Sequence, residues 1–333
     1  EIPENTTDLD SFLDNNYSRI EKIPGAFFEY TYSNGDSFSA ILGARGDYHN
    51  EYGFMFTPRV HLRYTPNPDW VFRAVAGRGF RTSNIFTEYS SVFASSRNVS
   101  INRQNNFGYG LAQERAWNFG ISATHYFLFD YREGTISVDF YRTQFENATI
   151  ADLDSNPQSI NFSSVKNGSY SNSLQVELNF QPLERFDTRI AYRFLDVKQK
   201  TNGVWLDRAL SSKNRVLLNF AYSTEKENEN DSQMNYDLTL NWFGEKRIPS
   251  TESNPGGLQS RNHSPAFAVV NAQITRTFTK DFDLYIGIEN LFDFRQKDLI
   301  IDSENPNGKY FDASLIWGPV NGRMVYAGLR YSL

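Results

Sequence analysis

The chain closes on Val325-Tyr326-Ala327-Gly328-Leu329-Arg330-Tyr331-Ser332-Leu333. Read backwards, every second residue is apolar: Leu333, Tyr331, Leu329, Ala327 and Val325. Between them stand Ser332, Arg330, Gly328 and Tyr326. A period of two puts the two sets on opposite faces of a strand. One face is apolar and the other mixed polar. A strand needs a neighbour on each side, because an unpaired edge presents a row of free backbone donors and acceptors. Closing a barrel supplies both neighbours.

The same alternation runs through most of the sequence. It begins with Ala26, Phe28, Tyr30 and Tyr32 against Phe27, Glu29 and Thr31. It returns in Phe38, Ala40, Leu42 and Ala44, and in Phe56, Pro58, Val60, Leu62 and Tyr64. Trp70, Phe72, Ala74 and Ala76 follow, then Trp117, Phe119, Ile121 and Ala123. Later runs include Leu174 to Phe180, Val216 to Tyr222, Tyr236 to Trp242, Ala268 to Ile274 and Phe282 to Ile288. The pattern predicts about thirteen strands of about 9–11 residues, the length of a tilted membrane strand. Short connections are expected near Asn34, Asn67, Asp130, Pro182, Glu227 and Lys280. Longer ones are expected near Asn50, Ser95, Ser155, Asn202, Pro255 and Asn305. Short turns on one side and long loops on the other mark an outer-membrane barrel. From about Phe80 to Gln113 the alternation stops, which predicts one long, structureless loop on the outer side.

Composition supports this reading. Aromatic residues make up 16% of the chain, yet mean hydropathy is −0.55. Many aromatics in a polar sequence suit a lipid-facing outside and a wet inside. No apolar run approaches the ~18 residues of a membrane helix. The net charge of −6 argues against a nucleic-acid partner. Cysteine is absent. The start, Glu1-Ile2-Pro3-Glu4, lacks the basic and apolar parts of a signal peptide.

An odd strand number puts the two ends on opposite sides of the membrane. Residues 1–25 are expected to be an outer loop segment, and 26–333 the C-terminal part of a transmembrane antiparallel β-barrel. The remaining wall is expected from elsewhere, because open edges are not tolerated in lipid.

Several motifs resemble those of TonB-dependent outer-membrane receptors. The alternating terminal strand is similar to the assembly signal of outer-membrane barrels, with Leu333 where Phe is usual. Pro58-Arg59-Val60 with Tyr64, then Gly77-Arg78-Gly79-Phe80-Arg81, resemble the family's strand, turn and strand leading into a "GFR" segment. Ser83 stands where the family has Pro. Glu114 with Trp117 to Gly120, Asp139-Phe140-Tyr141 with Ile150, and Gly322-Arg323 through Tyr326 continue the pattern. Glu289-Asn290-Leu291-Phe292-Asp293 is the most specific match. The resemblance implies a barrel of ~22 strands around a plugged lumen. It also implies a plug domain, a TonB-contacting segment with its TonB box, and about nine strands beyond those here. It implies residence in the outer membrane of a Gram-negative bacterium and no enzymatic chemistry. It implies energy-coupled uptake of a scarce nutrient: a siderophore or other metal chelate, haem, cobalamin or a glycan. A surface lipoprotein is a further possible partner.

Candidate functional residues fall in two groups. Arg59, Arg63 and Arg73 fall on the polar phase, and charges on a lipid face would cost about 2–4 kcal/mol at the midplane. They are expected to face the lumen. There they pair with plug carboxylates, or with Glu29 and Asp47, or draw an anionic ligand inward. In the long loop, Arg81, Phe86, Tyr89, Phe93, Arg97, Arg103 and Tyr109 combine aromatic and guanidinium groups, a composition suited to recognition. Packing of the loop on its neighbours is the competing reading. His49, His61, His125 and His263 lack metal-ligand spacing. Asp152 and Asp154 lack the twelve-residue calcium pattern. No cofactor is expected. Glu225 to Asp231 reads as a solvated turn. A passive porin or adhesin, and more weakly an outer-membrane hydrolase, are the alternatives to coupled uptake.

Overall fold

The computed structural model describes residues 17–226 and 232–332. Leu333 and Glu227 to Asp231 lie outside the described residues, as does most of the expected outer segment 1–25. Residues 17–24 carry no regular structure. The strands are β1 (Gly25–Asn34), β2 (Phe38–His49), β3 (Gly53–Asn67), β4 (Trp70–Arg81), β5 (Asn98–Ile101), β6 (Glu114–Phe129), β7 (Arg132–Asp152) and β8 (Ser159–Leu183). They continue as β9 (Phe186–Thr201), β10 (Val204–Asp207), β11 (Asn214–Ser223), β12 (Gln233–Phe243), β13 (Phe267–Thr279), β14 (Phe282–Glu289) and β15 (Met324–Tyr331). Thirteen of them form one antiparallel path in chain order. β5 pairs in parallel with β8, and β10 folds back on β9. Among the described residues β1 pairs only with β2, and β15 only with β14. The sheet therefore has two open edges, and every residue of β1 is exposed.

Register shows how alternation sorts the faces. Ala40, Leu62, Ala74, Ile121, Phe140, Leu174 and Phe194 lie opposite one another across successive strands. One step along, the row reads Ser39, Arg63, Arg73, Ser122, Asp139, Gln175 and Arg193. Directly opposed residues share a face, and a shift of one would exchange apolar for polar throughout. On the apolar face Ile121 is 62% exposed and Ile286 is 55% exposed. Such a continuous exposed apolar band is what lipid covers in an outer-membrane barrel. No helix among the described residues is long and apolar enough to cross a membrane.

Strand lengths differ from the expected 9–11 residues. β7 has 21 residues and β8 has 25. At about 3.4 Å per residue they outrun a hydrocarbon core of about 30 Å even when tilted. Their excess rises past the membrane on the long-loop side. The connection near Asn50 is also shorter than expected: only residues 50–52 separate β2 from β3. His49 closes this turn, its Nδ1 accepting the Glu51 N–H at 3.0 Å.

The segment 82–113 is not structureless. It holds a helical turn (Ile85–Glu88), a 3-10 turn (Ser90–Phe93) and β5. It packs its own core of Ile85, Val92, Val99, Tyr109 and Leu111 on Ile160 and Phe162 of β8. A second core joins Ile248, Leu315 and Trp317, from the connections after β12 and β14, with Phe267 at the start of β13. Among the described residues the buried apolar clusters thus sit where the long loops pack on the adjoining strand ends. Arg97, 2% exposed, donates to Asp312 Oδ2 at 2.9 Å from Nε and 2.7 Å from Nη2. The Ser96 N–H adds a bond to the Phe311 carbonyl at 2.9 Å. The loop after β4 therefore meets the loop before β15, so the sheet must curve far enough to bring them together.

Two expectations follow. Ile121→Arg should lower the yield of folded, heat-modifiable barrel far more than Asn118→Arg, which sits on the polar face of the same strand. The motive is the cost of about 2–4 kcal/mol for a cation near the midplane; equal losses would contradict the face assignment. Arg97→Ala leaves Asp312 buried without its counter-charge, a loss of about 3–5 kcal/mol. It should expose 82–113 to limited proteolysis while the sheet stays protected. Arg97→Met with Asp312→Leu should restore much of that protection; a double variant as labile as the single one would contradict the ion-pair account.

Candidate functional site at the loop mouth and the concave face

The polar face is a ladder of charges. Arg59 lies across Gly43, where any Cβ would crowd its side chain, and it pairs with Glu29. Asp47 instead takes Arg45, at 2.7 Å. Arg63 and Arg73 stand directly opposite one another on the same face. Further round, Arg189 reaches Glu177 at 3.0 Å. Arg193 and Arg215 oppose each other across β9 and β11. Like charges so placed repel. Arg215 lies 5.4 Å from the Phe243 ring, and its Nε is buried without a hydrogen-bond partner. Lys246, on the connection after β12, sits 5.6 Å from the Phe243 ring and 5.3 Å from that of Phe267. Burial, then Arg215, pushes its ammonium below the usual lysine range. The sequence offered no signal for this group, because its members come from different strands and meet only through register.

The loop residues singled out above divide by burial. Phe86 packs on Phe93 and Tyr109, with ring centroids at 5.3 and 5.6 Å. Phe93 meets Phe162 at 6.3 Å. Tyr89 donates to the Thr149 carbonyl at 3.1 Å, and Tyr109 to Asn84 Oδ1 at 3.0 Å. Burial pushes both phenols above the usual tyrosine range. Arg81 bridges Glu114 and Glu88, and Arg97 is committed to Asp312. Arg103 is exposed, with one long contact of 3.4 Å to the Gly108 carbonyl. Of the seven, Arg81 and Arg103 are the most open to solvent.

A cleft of about 780 Å³ opens between residues 257–261 and 296–304, floored by Ile248, Leu315 and Trp317. Backbone and mixed charges line it, including Arg261, Lys297, Asp298 and Glu304. The motif Glu289 to Asp293 immediately precedes the 296–304 side of this cleft. Asn290, in the left-handed region at φ 50°, accepts the Phe294 N–H and donates to the Phe294 carbonyl. Asp293 accepts the Arg323 N–H at 2.7 Å. That bond and the Arg295 guanidinium hold the Asp293 carboxyl below the usual range. The motif's role here is thus to fix the junction between β14 and its loop. Asp152 caps the N–H groups of Asp154 and Ser155, and Asp154 pairs with Arg247 at 2.6 Å. Among the described residues no cluster of three metal-ligating side chains occurs.

Comparisons with known proteins agree with this architecture. A sequence model described as TonB dependent receptor-like, beta-barrel, matches residues 3–291. Comparison with curated sequences returns no match. Among solved structures, a mutant of the ferric enterobactin receptor PfeA from Pseudomonas aeruginosa is 16% identical, with a TM-score of 0.64. The match covers 93% of this chain and 45% of that one. FpvA of P. aeruginosa, solved bound to heterologous pyoverdines, is 14% identical with a TM-score of 0.63, over 93% of this chain and 38% of that one. The siderophore receptor PirA from Acinetobacter baumannii is 13% identical with a TM-score of 0.62, over 97% and 48%. The chain thus spans less than half the length of each of these structures. At such identities the structural likeness establishes the fold alone. The family model, covering most of the chain, establishes more: the chain belongs to the TonB-dependent receptor β-barrel family, whose members are outer-membrane transporters rather than enzymes.

Proposed function

We propose that this chain is wall and loop mouth of a receptor that takes up a ferric siderophore or similar anionic metal chelate by TonB-coupled transport. The observation that carries the proposal is the family match over residues 3–291, with a fold shared by structures described as siderophore receptors. The concave face adds chemistry. Arg63, Arg73, Arg193 and Arg215 line it without a carboxylate within ion-pair distance of any of them among the described residues. Cations along a low-dielectric wall raise the local concentration of anions. Arg81, Arg103 and the cleft between 257–261 and 296–304 offer the first contact at the mouth. A plug domain and further strands of the same receptor would complete the lumen, TonB would supply the energy, and a surface lipoprotein is a possible accessory. Haem, cobalamin and glycans are the other cargo classes within this proposal.

The test is uptake by whole cells carrying the full receptor as their sole route for the cargo. Radio-iron loaded on a panel of siderophores should enter with wild-type TonB and not in its absence. Arg193→Ala with Arg215→Ala should cut entry of an anionic chelate about tenfold or more, with surface display unchanged. Entry that persists without TonB would support the passive-porin reading instead.

A further inference from the structure

On the apolar face, the end nearest the long loops carries cations where the rest of that face carries none nearby. Arg78 of β4 lies opposite Trp117, Arg115 of β6 opposite Phe80, and Arg142 of β7 opposite Phe119. All three share the phase of Ala74, Ala76 and Ile121, which face outward. Counting along β6, Phe127 and Trp117 are ten residues apart on this face. At about 3.4 Å per residue and a tilt of about 40° that is about 26 Å of membrane height. An outer-membrane apolar band is about 25 Å tall, with aromatic residues at each margin. Arg78, opposite Trp117, therefore stands at the outer margin, with Arg115 about 5 Å above it and Arg142, opposite Phe119, about 5 Å below.

Their charges are under-compensated. Arg78 Nη2 reaches Glu146 Oε2 at 2.5 Å, while its buried Nε has no partner. Trp117 Nε1 donates to the other Glu146 oxygen at 2.9 Å. Among the described residues Arg142 is held by neutral groups: Asn172 Oδ1 at 2.9 Å, Gln144 Oε1 at 2.8 Å, and the Tyr170 ring at 5.0 Å. Asp196 comes near only through Asn172, at 3.4 Å. Arg115 faces the Phe80 ring at 5.7 Å and forms no ion pair among the described residues. Among the described residues one carboxylate, Glu146, lies within ion-pair distance of these three guanidinium groups, and it is held by Arg78. Neighbouring strands lie about 4.8 Å apart, so the three cations span about 10 Å across the wall and, over the four residues from Arg115 to Phe119, about 14 Å along it.

Directly beneath is an apolar hollow. Ala74 and Ala76 form its floor, with Val60, Phe119, Ile121 and Phe140 as walls, and it encloses about 340 Å³. A second hollow of about 460 Å³ continues from it past Leu62 and Phe72 towards the short-turn side. Small residues between large aromatics leave grooves of acyl-chain width on a surface that lipid covers. A cationic headgroup site above an apolar groove is complementary to an anionic amphiphile and to no small polar ion.

We propose that Arg78, Arg115 and Arg142 with the hollow over Ala74 and Ala76 form a specific seat for the phosphorylated glycolipid of the outer leaflet, phosphate at the guanidinium groups and an acyl chain in the groove. The seat lies on the outside of the wall, separate from the concave face that would pass cargo. It would brace β4, β6 and β7 just where they leave the membrane to carry the 82–113 loop.

Native mass spectrometry of the full receptor, released in detergent and titrated with lipids, tests this. Diphosphoryl lipid A should bind with defined stoichiometry, more tightly than its dephosphorylated form or phosphatidylethanolamine. Arg115→Ala and Arg142→Ala should each weaken it about fivefold, while Arg115→Lys retains most of the affinity. Ala74→Phe, which fills the groove and leaves the cations in place, should weaken lipid A and leave inorganic phosphate unaffected. Heat-modifiable migration checks that each variant is folded, and Arg142→Gln replaces any alanine variant that fails to assemble. Equal affinity for phosphorylated and dephosphorylated lipid, or no effect of the arginine variants, would overturn the proposal. Inorganic phosphate competing fully with lipid A while Ala74→Phe has no effect would also overturn it, leaving a simple anion patch.

Discussion

Everything in this structure depends on the backbone hydrogen bonds between neighbouring strands in a setting without water. In hydrocarbon an unpaired N–H or C=O costs several kcal/mol, so a wall must satisfy every group from the strand beside it. That requirement dictates a continuous antiparallel ladder, and the thirteen-strand path in chain order is one. The ladder in turn dictates alternation, since each residue faces either lipid or lumen. The row from Ala40 to Phe194 and the row from Ser39 to Arg193 are two consequences of one bonding pattern.

The ladder leaves little buried apolar surface of its own. Its apolar face is exposed in isolation, and its polar face is wet. Among the described residues, conventional cores form at the long-loop end of the wall, at Ile85, Val99 and Phe162 and at Ile248, Phe267 and Trp317. The loop mouth is therefore a packed assembly held by internal cores and by the Arg97–Asp312 pair. This restricts where cargo could first touch. Buried groups such as Arg97 and Tyr109 hold the loop in shape, and under the proposed function open ones such as Arg103 are the candidates for contact.

How much was legible in sequence follows from the range of each interaction. Alternation is a property of neighbours in the chain, so Ile121 and Asn118 announce their faces without a structure. Asp47 to Gly53 reads locally as a short loop, and only its place among the long-side connections suggested a greater length than the three residues 50–52. β5 was missed because Asn98 to Ile101 is too short to establish a period and is held by parallel pairing with β8. Arg97 and Asp312 lie 215 residues apart, and nothing local marks either as the other's partner. The cluster of Arg193, Arg215 and Lys246 is likewise set by register between strands. Glu289 to Asp293 was recognisable as a motif, but its task of fixing a strand-to-loop junction emerges only from the bonds of Asn290 and Asp293.

The central claim is that the apolar rows face lipid and the charged rows face the lumen. The chain has no cysteine, so single cysteines can be placed without background. Spin labels at successive positions from Ala116 to Ala123 of β6, in the full receptor reconstituted in bilayers, read the faces directly through collision with oxygen or with a water-soluble nickel chelate. The structure predicts oxygen access at Trp117, Phe119, Ile121 and Ala123, and nickel access at Asn118, Gly120 and Ser122. Uniform access along the strand, or the same alternation in the opposite phase, would contradict the account.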